Sequence, residues 1–119
     1  MSSARNVTAG AALFAAMLLS VAPATAAIGL ISYEGSDFSQ DVNTSSAVRA
    51  CDGESDSHGV HADFTTKGSG VVQQIRDGNG ANNSCAYTGN YGNYNIYSHR
   101  AVEEINAAPD NFGPWKYPS

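Results

Sequence analysis

Two cysteines, Cys51 and Cys85, allow one intramolecular pairing, and that pairing constrains this chain more than any other feature. A bridge there closes the loop from residue 51 to residue 85. In the chain-entropy model such a loop stabilises by about 3.5 to 4 kcal/mol. A small domain has a net stability of only about 5 kcal/mol, so the bridge is expected to decide whether it folds. A catalytic or metal-bound thiolate is the rival reading, but neither cysteine has a second one nearby in the sequence. The pairing also presupposes an oxidising compartment.

The N-terminus supplies the route to one. Arg5 and the terminal amine give a short positive region, residues 11–22 form an uncharged apolar run, and Pro23 ends it. Ala24-Thr25-Ala26 then offers the small residues that a signal peptidase accepts, with cleavage read equally after Ala26 or Ala27. A run of about 12 residues is too short to cross a hydrocarbon core of roughly 30 Å, which argues against an anchor. Residues 1–27 are therefore read as a signal peptide. The remainder is expected to be secreted and extracellular, with no membrane attachment after cleavage.

A chain of 119 residues holds one small domain. Its 6 Lys and Arg stand against 11 Asp and Glu, a formal net charge of −5, so nucleic acid and anionic membrane surfaces are excluded as partners on charge. Only 14% of residues are charged and 12 are glycine, which favours turns and short strands over long helices.

The clearest strand is 59–66, where Val60, Ala62 and Phe64 alternate with His61, Asp63 and Thr65. Lys67 to Gly70 reads as a hairpin connection to a partner strand at 71–76. Residues 47–51 read as a strand ending at the bridge, and 94–100 as another. Ile28 to Tyr33 is an apolar start fit for an edge strand. The polar residues that follow have little to bury, so 28–46 as a whole is expected to be a flexible arm. Residues 101–108 read as one or two helical turns with Val102 and Ile105 on one side, stopped by Pro109. The expected fold is mainly β: a small disulfide-closed antiparallel sheet or sandwich over residues 47–119, with at most one short helix.

The order of Cys51-Asp52-x-Glu54-x-Asp56, Arg76-Asp77-Gly-Asn79, Cys85, His99-Arg100-x-x-Glu103-Glu104-x-Asn106, Pro109-Asp110 and Gly113-Pro114-Trp115 resembles a group of small secreted actinobacterial proteins. The similarity runs from Val48 to Tyr117. The group carries no assigned activity, so the resemblance implies secretion and a fold rather than a chemistry. Its members tend to have a second cysteine pair, at places that match Val102 and Phe112 here. The resemblance therefore implies that these two residues touch, a buried contact in place of a bridge.

Asp52, Glu54 and Asp56 set carboxylates at alternate positions in an acidic turn, and Asp77 and Asn79 can join them if the bridge draws two turns together. Calcium takes six to eight hard oxygen ligands, so these five are the candidate ligands of a calcium ion. The competing reading is a solvated turn whose side chains cap local amides. His58, His61 and His99 raise zinc, but three or four ligands would have to converge. His99 with nearby acids raises hydrolysis; no motif supplies a nucleophile at defined geometry, and the protein is expected not to be an enzyme. Tyr91, Tyr94, Tyr97 and Trp115, interleaved with asparagines, supply the flat rings and amides that a sugar ring needs. A binding or structural module for carbohydrate or cell-envelope polymer is thus the leading expectation. The alternatives are an inhibitor presenting Gly78 to Ser84 to a secreted hydrolase, and a small calcium-stabilised extracellular protein.

Overall fold

A computed structural model describes residues 29–78 and 84–118. The predicted leader, Asn79 and most of the loop between Gly78 and Ser84 lie outside them. Among the described residues eight strands run in the order β1 (Ile31–Glu34), β2 (Asp37–Val42), β3 (Ala47–Cys51), β4 (Val60–Thr66), β5 (Gln73–Asp77), β6 (Cys85–Tyr87), β7 (Ile96–Glu103) and β8 (Asn111–Phe112). They form two four-stranded antiparallel sheets, ordered β1-β2-β3-β6 and β5-β4-β7-β8. The mainly β, disulfide-closed fold read from the sequence is what the chain adopts.

Cys51 and Cys85 are bonded and are direct cross-strand partners of β3 and β6, with Cα atoms 4.5 Å apart. The bridge ties the short β6 to the sheet. The β4–β5 hairpin also forms as read, although its second strand begins at Gln73 and leaves Val71 and Val72 exposed.

Two expectations are overturned. Residues 29–46 are not a flexible arm: β1 is the edge strand that the apolar start suggested, it pairs with β2, and β2 pairs with β3, so this stretch supplies half of one sheet. A tight turn at Gly35 (φ 61°) joins them. Residues 101–108 are not helical. Ala101 to Glu103 complete β7, because β4 offers them a ladder of partners, and no helix occurs among the described residues.

The space between the sheets is split by chemistry. Val48 and Ala50 of β3 pack on Ala62 and Phe64 of β4 and on Ile96 of β7, with Ile75 at the margin. Under β1 and β2 the facing residues are instead Ser32, Glu34, Asp37, Ser39 and Asp41, opposite His99 and Glu103. Period two persists along β2, but it is Asp, Ser and Asp that point inward.

Two irregular segments hold the ends. Asn43, Thr44 and Ser45 all take left-handed backbone angles (φ 55°, 58° and 54°), costly for residues with a Cβ. The carbonyls of Thr44, Ser45 and Ser46 accept amides from the 88–95 connection and the start of β7: Tyr94 N–H donates to Thr44, Ile96 to Ser45 and Tyr91 to Ser46. The C-terminal run crosses the open edge of β7, where His99 and Lys116 exchange backbone hydrogen bonds. Gly113 is needed there, since a Cβ would stand 2.5 Å from the Tyr33 carbonyl oxygen. Val102 and Phe112 are directly opposed between β7 and β8, but Phe112 is 53% exposed, so their pairing is not a buried replacement for a bridge.

Candidate functional site

Three groups of chemistry-bearing side chains emerge. The first lies where β1, β2, β7 and the acidic turn 52–58 meet. Gly53 backs onto the Ser36 carbonyl so closely that no Cβ fits, which seats the turn on the β1–β2 hairpin. Glu54 Oε2 accepts the Ser36 amide at 3.2 Å, and Asp37 Oδ1 accepts the Gly53 amide at 2.9 Å. Glu34, Asp37, Glu54 and Glu103 thereby each bring a carboxylate oxygen to within 4.8 Å of the others. Asp37 is fully buried and Glu103 nearly so. Asp37 Oδ2 and Glu34 Oε1 are buried without a hydrogen-bond partner.

The electrostatics follow from this crowding. Burial pushes the Asp37 carboxyl up to about 7 against the pull of the Gly53 amide, and the Glu54 and Asp52 charges add to the rise. Glu103 is also raised to about 7, first by its contact with Asp56 and then by burial, opposed by His58 and Asn111. Asp56, His58 and Glu103 form an overlapping cluster, with His58 Nδ1 3.3 Å from Glu103 Oε2.

The five residues expected to ligate calcium are divided by this arrangement. Glu54 enters the four-carboxylate group and Asp56 the neighbouring one. Asp52 caps the Glu54 amide, and Asp77 accepts the Asp52 amide at 3.0 Å, so these two serve the backbone. Asn79 lies outside the described residues. Glu34, Asp37 and Glu103 had no metal signature in the sequence, because the first two fell in a stretch read as an arm and the third in one read as a helix.

The second group is a serine, a histidine and an aspartate. Ser39 Oγ lies 2.7 Å from His99 Nδ1, and His99 Nε2 donates to Asp41 Oδ1 at 3.2 Å. Burial alone would raise Asp41, but its bonds with His99 and the Leu30 amide outweigh that and hold it below the ordinary aspartate range. Ser39 and His99 are completely enclosed between the sheets, so no substrate reaches the hydroxyl. The group locks β2 to β7.

The third group covers the outer face of the second sheet. His61 sits between Glu104 Oε2 (2.8 Å) and Asp63 Oδ1 (3.1 Å), and Asp63 Oδ2 accepts from Arg100 Nε at 3.0 Å. Arg76 completes the chain by pairing with Glu104, whose carboxyl it holds down at about 2. The Arg100 guanidinium lies over the rings of Phe112 (4.1 Å) and Trp115 (4.6 Å). Tyr117 stands two residues beyond Trp115 and meets Tyr97 edge to face at 5.6 Å. His58, His61 and His99 belong to three separate networks and do not converge on one centre.

The four residues expected to bind a ligand are likewise divided. Tyr97 and Trp115 belong to this outer face, together with Phe112 and Tyr117, which the sequence reading did not select. Tyr91 packs on Phe64 instead (5.6 Å), and Tyr94 sits in the connection pinned to Thr44. Comparison with protein-family models, with curated proteins and with solved structures returns no match. Among the described residues no helix is long and apolar enough to cross a membrane.

Proposed function

We propose that this chain is an exported, non-enzymatic binding module whose outer aromatic face takes carbohydrate or cell-envelope polymer. The observation that supports this reading is the row Phe112, Trp115, Tyr117 and Tyr97. Three of its rings are more than half exposed: Phe112 53%, Tyr117 58% and Tyr97 53%. Rings are costly to leave in water, and a run of them on a rigid sheet is a pre-formed surface for another apolar face. The row is edged by the partly exposed Arg100 guanidinium, a charged hydrogen-bond donor beside the rings. Pyranose rings match that mixture, with C–H faces for the aromatic planes and hydroxyls for the charged neighbour. Export is supported by the disulfide and by the sequence of residues 1–27.

The test is co-sedimentation of the oxidised protein with insoluble chitin, cellulose and peptidoglycan. At least one polymer retains the wild type. Tyr97→Ala and Tyr117→Ala each weaken retention roughly fivefold, the value of about 1 kcal/mol per ring contact. Tyr87→Ala, which removes an equally exposed ring from the other sheet, leaves retention unchanged. Retention of none of the polymers, or equal losses in all three variants, overturns the reading.

A further inference from the structure

Burial of a carboxylate oxygen without a hydrogen-bond partner is costly, and among the described residues two such oxygens occur in one place. Asp37 is 0% exposed and its Oδ2 accepts no hydrogen bond; Glu34 Oε1 is enclosed in the same way. Both belong to the group in which Glu34, Asp37, Glu54 and Glu103 hold their oxygens within 4.8 Å of one another. Oxygens bound to one calcium ion at 2.3–2.6 Å cannot stand more than about 5 Å apart, so the spacing is that of a shared coordination sphere. Four carboxylates offer up to about eight oxygens, against the six to eight that calcium takes. Magnesium asks for a tighter octahedron and keeps several waters, and zinc prefers nitrogen and sulfur donors.

We propose that Glu34, Asp37, Glu54 and Glu103 form a calcium site that clamps the β1–β2 hairpin and the acidic turn to the end of β7. The site is independent of the polymer-binding reading, since it lies between the sheets and uses none of the outer-face residues. Its ligands come from three separate segments, the β1–β2 hairpin, the acidic turn and β7, so the ion links parts of the chain that the disulfide does not join. Asp37 Oδ1 is already oriented by the Gly53 amide and Glu54 by the Ser36 amide, which fixes both ligands before an ion arrives. The group ties the first sheet to β7 of the second where the interior has few apolar contacts.

The experiment is calorimetric titration and thermal unfolding of the full disulfide-bonded chain at pH 8, stripped with chelator and then given calcium chloride. Calcium is expected to bind one to one and, at about 10 mM, to raise the unfolding midpoint by roughly 5 to 15 °C. Glu54→Gln, a half-buried change that leaves the interior intact, and Asp37→Asn each remove most of that rise. No heat of binding and superimposable melts with calcium and with chelator overturn the site. An unchanged calcium shift in both variants overturns its location. An equal shift from magnesium, or a shift from zinc alone that His58→Ala abolishes, overturns the assignment to calcium.

Discussion

Val48, Ala50, Ala62, Phe64 and Ile96 fill the interior between β3 and β4, whereas Ser32, Asp37, Ser39, Asp41, His99 and Glu103 fill it between β2 and β7. Both regions are equally closed to solvent, but they hold the sheets together by different means. The apolar half acts through burial, which is non-directional and tolerates many partners. The polar half acts through bonds of fixed geometry, such as Ser39 to His99 and His99 to Asp41, which a shift of one residue in β2 would break. The contrast teaches that stability and register are carried by different parts of this small interior: the first half drives collapse, and the second selects which strand lies where.

The largest expected effect therefore belongs to the apolar half. Phe64 is its biggest side chain and touches the Tyr91 ring as well as the aliphatic cluster. Phe64→Ala should cost about 3 to 5 kcal/mol, read as a fall in the urea midpoint with little change in slope. A loss below about 1 kcal/mol would show that the polar half carries the folding energy, and the comparison would have to be inverted.

What could be read from the amino-acid sequence follows the same division. β4 was legible because Val60, Ala62 and Phe64 alternate, and the bridge was legible because two cysteines have one pairing. β2 was not, because its inward residues Asp37, Ser39 and Asp41 carry no hydrophobic signal, and their partners on β7 are some 60 positions away in sequence. The opposite face of β4 carries no hydrophobic signal either. His61, Asp63 and Thr65 are polar, yet ion pairs to Glu104 and Arg100 and the hydroxyl of Ser98 bury them. The spacing of Val102 and Ile105 suggested a helix, but strand pairing with β4 governs the chain as far as Glu103. Of the acidic site, only the contribution of the 52–58 turn was visible, since its other members arrive from strands that only the folded chain brings near.

The polar half should also respond to pH, with a sign set by its raised carboxyls. Asp37 and Glu103 titrate near 7 in the folded chain, against ordinary values of 3.8 and 4.5. The folded state thus retains protons that the unfolded chain has released. Their contribution is fully present below about 4 and is lost as pH rises through about 7. Asp37 faces Glu54 and Asp52, Glu103 faces Asp56, His58 and Asn111, and the acidic members oppose a second charge. Glu104, held near 2 by Arg76, works the other way but only below about 4.5. In chelator the unfolding free energy should fall between pH 5.5 and 7.5, by at most about 1.4 kcal/mol per pH unit per group, and the midpoint with it. Asp37→Asn should flatten that fall; a midpoint that climbs over this interval would contradict the placement of both carboxyls.

The smallest effect is expected at Ser39, and it sharpens the division most. Ser39→Ala removes one hydroxyl from a fully enclosed position and leaves His99 Nδ1 facing no partner. An unsatisfied buried nitrogen costs about 1 to 3 kcal/mol, and the added space is too small to add a large cavity term, so a loss near 1.5 kcal/mol is expected in urea unfolding. Because the hydroxyl contributes direction rather than burial, the same variant should loosen β2 locally. Amide exchange at Gln40 and Asp41 should then quicken more than exchange in β4. Phe64→Ala, by contrast, should quicken both strands together, since it lowers the global unfolding free energy on which the slowest amides depend. Uniform acceleration in Ser39→Ala would mean that the hydroxyl supports the whole sandwich, and the separation between collapse and register would fail.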